Sequence, residues 1–163
     1  MSFFGFGGKK KQEIKAAELV DVLLEEIFKD QHTPRTEHLN IPVDKEDVFA
    51  SKVDFYKQAA LLRVVIIHEQ SNSKSAKVRK QLEPILFRAS TQEEGMVLVK
   101  EMKQAMLSLD ELHESVKPMS WSMNWLADIG INESNPVTLQ FFGTFWIDFS
   151  LAFYKTLSDL DPI

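Results

Sequence analysis

Cysteine is absent from the 163 residues of this chain. That one gap removes disulfides, thiolate metal sites and cysteine nucleophiles together, and it suits a reducing compartment such as the cytoplasm. Positive charge is in the minority, because 19 Lys and Arg stand against 24 Asp and Glu for a formal net charge of −5. A chain of that balance has no general attraction to polyanions, so nucleic acid is not an expected partner. Long apolar runs are missing as well. The best candidate, within residues 136–160, meets Asp148 well before the roughly 20 residues that a bilayer crossing requires. No transmembrane segment is expected.

Motifs of established chemistry are equally scarce. Gly7-Gly8-Lys9 invites a phosphate-loop reading, but Phe3 stands where the first glycine belongs and Lys10 where a Ser or Thr belongs. The pattern therefore fails. No Gly-x-Ser-x-Gly, His-Glu-x-x-His or dinucleotide fingerprint occurs. Ser71 to Lys74 matches Ser-x-x-Lys only in spacing, since it falls in a polar linker at a helix end rather than at a helix start. No catalytic residue is nominated and no cofactor is expected. Phe3, Phe4 and Phe6 precede Lys9, Lys10 and Lys11, the reverse of a secretory signal, and position 2 is Ser rather than the Gly of a myristoylation site. Residues 1–10 read as a flexible tail, with docking on a partner or an anionic surface as its functional alternative.

What is present is helix-forming pattern. Apolar residues make up 44% of the chain, enough for one domain with a real core over residues 11–160. Leu139, Phe142, Trp146, Phe149, Phe153, Leu157 and Leu160 recur in steps of three and four, and Phe141, Phe145 and Ala152 widen the same side. This spacing predicts an aromatic-rich C-terminal helix at the centre of the fold, opened by an Asn135 cap and a first-turn Pro136. Amphipathic helices are predicted over 11–30, 47–70 and 74–89, the third bent or ended near Glu83 by Pro84. A fourth starts from a capping box at Ser90-Thr91 with Glu93-Glu94 and carries Leu98, Met102, Ala105, Leu109, Leu112 and Val116 inward. A short helix over 120–130 ends at Gly130 in the position of a left-handed cap. The fold class is an all-α single-domain bundle of five or six helices, with a long connection over 31–46.

Candidate site residues follow from charge and shape. Arg63 and Asp148 place one charge of each sign inside the two most apolar helices, and a possible buried ion pair between them would offset the cost of burial. Lys74, Lys77, Arg79 and Lys80 form a possible anion or partner patch, with a solvated helix face as the plainer reading. Trp121, Met123 and Trp125, with Phe145 and Phe149, form a possible interaction or apolar-ligand surface if they are exposed, and core if they are not. His68, Asp110 and His113 are the weak candidates for a metal; a carboxylate-bridged di-metal bundle would need Glu-x-x-His pairs, and the chain has none. These features favour a non-enzymatic protein-interaction module acting as adaptor, regulator or assembly accessory, its partner another protein or a second copy. The alternative is a carrier or sensor of an apolar small molecule in a cavity lined by the C-terminal helix, and a weaker one is an enzyme or metal-binding bundle.

Overall fold

The computed structural model describes residues 11–34, 36–37 and 39–163. The predicted tail, residues 1–10, lies outside them. Among the described residues six α-helices carry the architecture: α1 (Ala16–Ile27), α2 (Glu46–Ser71), α3 (Ser75–Leu86), α4 (Gln92–Ser115), α5 (Pro118–Ala127) and α6 (Pro136–Asp159). The aromatic-rich C-terminal helix is α6, and Leu139, Phe142, Trp146, Phe149, Phe153 and Leu157 are buried as their spacing predicts, whereas Leu160 is half-buried beyond the helix end and Phe141 and Ala152, expected on the same side, are exposed. It shares the middle of the bundle with α2, which packs against α1, α3, α4 and α6. Apolar residues through the second half of α2, from Ala59 to Val65, are correspondingly buried with only Arg63 between them partly exposed.

Local signals account for most of the boundaries. The Asn135 side chain accepts from the backbone N–H groups of Val137 and Thr138 at 3.0 and 3.3 Å, so two orphan donors of α6 are satisfied and Pro136 occupies the turn that needs none. In α4, Thr91 Oγ1 accepts from Glu94 N and Glu94 Oε2 accepts from Ser90 N, a variant of the capping box in which the glutamate reaches the residue before the cap. Gly130 has φ +75°, which a residue without Cβ adopts freely.

Several expectations are corrected. The first helix begins at Ala16 rather than residue 11, because residues 12–14 form a strand β1 (Gln12–Ile14) that pairs in parallel with β2 (Leu160–Pro162). Three residues are too few to show a period-two pattern. Pro84 does not end the third helix at Glu83; α3 runs through it to Leu86, and the proline leaves the Lys80 carbonyl without its intrahelical N–H donor. Val116 is exposed rather than inward and has φ +50° at the end of α4, a costly geometry for a β-branched residue.

The tightest joint is between α5 and α6. A Cβ placed on Gly143 would come within 2.4 Å of the Pro118 carbonyl oxygen and 2.7 Å of Pro118 Cα. Only hydrogen at that position lets the two backbones meet. Trp121 and Trp125 are thereby pressed onto Phe142 and Trp146, and Tyr56 and Phe49 of α2 close the cluster with ring centroids 5.1 to 6.5 Å apart, the range of favourable edge and offset contacts.

Candidate functional site

The aromatic surface proposed at Trp121, Met123, Trp125, Phe145 and Phe149 divides. Trp121, Trp125 and Phe149 are core, Phe145 is half-buried and Met123 is exposed. Trp121 Nε1 donates to the Ser108 carbonyl and hydroxyl at 2.9 Å, so its one polar atom is consumed in packing. What lies open is the neighbouring side of α6. Phe141 is 71% exposed beside Phe142 at 3%, and Phe141, Val137, Phe145 and Phe142 line a groove of about 860 Å³ between the first half of α6 and residues 31–40.

The described residues of the far wall are pinned at three points. The His32 ring packs on Phe149 and Phe153 at 6.0 and 5.2 Å. Thr33 Oγ1 accepts from Lys57 Nζ at 3.0 Å, although Lys57 is only 2% exposed; burial pushes this ammonium below its ordinary pKa. At the other end, Glu133 accepts from the N–H groups of Ser134 and Asn135 at 2.8 Å and from Asn40 at 3.4 Å. Those backbone donors hold its carboxyl below the usual range and tie the wall to the start of α6.

Its described lining sets Val137, Phe141, Phe142 and Phe145 among polar side chains such as Thr33, Asn40 and Thr138. Among the described residues that line it, Glu37 and Asp148 are charged and none is basic. Asp148 is exposed here, and this corrects the expected pairing with Arg63. Arg63 Nε instead donates to Asp110 Oδ1 at 2.6 Å, joining α2 to α4. Helical spacing placed both charges correctly on their own helices, but it carries no information on which helix supplies the counter-charge.

The metal candidates are likewise occupied separately. His68 Nδ1 is 2.7 Å from Ser75 Oγ, and its ring meets Tyr154 edge-on at 5.1 Å. His113 Nδ1 donates to the Leu109 carbonyl at 2.8 Å, and its Nε2 is buried without a partner among the described residues. Burial lowers both histidine pKa values. Asp110 serves Arg63. No group of three or more His, Asp or Glu among the described residues is placed to hold a metal ion.

The basic patch is half neutralised. Lys74 Nζ lies 2.7 and 2.6 Å from the two Asp161 oxygens, clamping β2 to the start of α3, and Arg79 pairs with Glu69 and Glu83. Lys77 and Lys80 remain exposed on the helix face. No helix among the described residues is long and apolar enough to cross a membrane.

The α6 groove is the surface feature that sequence reading missed. The signal was the adjacency of Phe141 to Phe142, since two successive residues on one helix point about 100° apart and cannot share one narrow contact. Comparison with known protein families, with characterised proteins and with solved structures finds no match to this chain.

Proposed function

We propose that this chain is a non-enzymatic helical interaction module, and that its working surface is the groove along the first half of α6. The occupant is a segment of a partner protein that carries an aromatic or aliphatic anchor next to a lysine or arginine. The carrying observation is Phe141, a large aromatic side chain left open in a pinned groove beside two acids. Phe141 and Val137 are exposed together on one side of α6, contiguous apolar surface of the kind that marks interaction sites, and Glu37 and Asp148 favour a cation at its edge. The absence of cysteine is compatible with work in the cytoplasm.

The test is selection of displayed random peptides on the intact protein, followed by affinity measurement against Phe141→Glu. Enrichment of peptides with an apolar anchor and a neighbouring basic residue is expected, with affinity falling at least about tenfold in the variant. Selected peptides that bind the variant equally well would overturn the reading. A second reading, an apolar small molecule in the same groove, is favoured by the groove's size, which falls in the range of ligand pockets. Native mass spectrometry separates the two: a small bound mass lost on denaturation supports the second.

A further inference from the structure

A different surface, on α4, carries an inference of its own. Residues 96–99, Met-Val-Leu-Val, are apolar on every side of the helix, a pattern that normally belongs to a buried segment. Here Met96 is 68% and Val97 51% exposed. Leu98 and Val99 are half-buried, yet neither is among the core residues or the half-buried apolar residues packed against them. The buried positions of α4 begin only at Met102 and continue through Ala105, Leu109 and Leu112. Beside the free segment lies a hollow of about 720 Å³ lined by Phe87, Gly95, Met96, Val99, Lys100 and Lys103. A Cβ on Gly95 would touch only Ala89 Cβ, at 3.7 Å, so the backbone there is open to close approach.

We propose that this part of α4 pairs with the same part of a second copy of the chain, antiparallel, about a two-fold axis passing between Met96 and Val97. The charges identify the occupant. A two-fold interface requires that if one residue meets another, the reverse contact is made as well. Glu93 and Lys100 stand three residues to either side of the Met96-Val97 pair and on the same helical stripe. Antiparallel pairing about that point sets Glu93 of each copy against Lys100 of the other, with the four Met and Val side chains between. Both charged residues are exposed, and neither enters any ion pair among the described residues. Glu94, by contrast, is already engaged with Ser90 N. The hollow beside Met96 offers Phe87 and Val99 to the partner's Met96, a side chain flexible enough to fill irregular space.

The experiment is sedimentation equilibrium of the full chain from about 1 to about 300 μM, with variants confined to exposed positions and circular dichroism melts to verify that each folds. A monomer–dimer equilibrium is expected. Met96→Glu should weaken it at least about tenfold, Lys100→Glu should weaken it, and Glu93→Lys combined with Lys100→Glu should restore it to within about threefold. Val97→Cys supplies the chain's one thiol, and mild oxidation should link two copies through it. A chain that stays monomeric throughout, a dimer that survives Met96→Glu, or a double charge reversal that fails to restore pairing would each overturn the proposal. Phe141→Glu should leave the dimer unchanged, which keeps this surface distinguishable from the α6 groove.

Discussion

Phe141 and Phe142 are consecutive, chemically identical and on one helix, yet one is 71% exposed and the other 3%. The difference lies in what stands opposite. Phe142 faces α5, which Gly143 allows to approach until Pro118 lies against the α6 backbone, and its ring is enclosed by Phe49, Trp121, Trp125 and Trp146. Phe141 faces a wall of loop that stops short of it. One side of α6 is therefore explained by folding, while apolarity on the other side is not, and it is the unexplained part that carries the functional reading.

This contrast can be broken from the closed side. Phe142→Ala should cost about 4 kcal/mol, the usual loss for emptying an aromatic core site, read as a lower denaturant midpoint; a cost below about 1 kcal/mol would mean that the site is not packed as described. Gly143→Ala should cost about 3 kcal/mol, since the new methyl meets backbone rather than the end of a flexible side chain. Ordinary helix propensity predicts the opposite sign. A stabilised Gly143→Ala variant would show that α5 and α6 do not touch there.

Buried and exposed titratable groups give a gentler version of the same comparison. Burial lowers the pKa of His68 and His113 below the ordinary 6.5, so the folded state favours their neutral forms. The unfolded chain takes up protons first as pH falls, and stability present above pH 6.5 is lost as pH drops through that value toward the folded ones. Glu133, held low by backbone donors, extends the loss below its ordinary 4.5. Melting temperature should thus fall between about pH 7.5 and about pH 5.5, with a shallower slope in His68→Gln. A flat or rising profile would contradict the burial of these rings. The smallest effect is expected at Val116, where Gly would relieve the positive φ and raise stability by about 1 kcal/mol; no gain would mean that the left-handed turn is not populated in solution.

How much of this was legible depends on whether the information is local. Six of the seven residues predicted inward on the C-terminal helix, its Asn135 cap and the Gly130 turn follow from spacing and backbone preference, and those six side chains are buried. Partners across the fold are another matter. Nothing near Arg63 in sequence points to Asp110 on α4, and nothing near Lys57 announces that Phe28 and Thr33 will cover it. The strands escaped for the same reason, because Gln12–Ile14 extends only by pairing with Leu160–Pro162. The groove belongs to this second class: its floor is helical periodicity, but its wall is a loop fixed by His32, Thr33 and Asn40.

The most direct test of the account compares Phe141→Ala with Phe142→Ala in two readouts, melting temperature and affinity for a peptide selected on the parent protein. Phe142→Ala should lower the melting temperature markedly, whereas Phe141→Ala should leave it nearly unchanged and weaken peptide binding at least about tenfold. A Phe141→Ala variant that binds the peptide as well as the parent would contradict the claim that the open side of α6 is the binding surface.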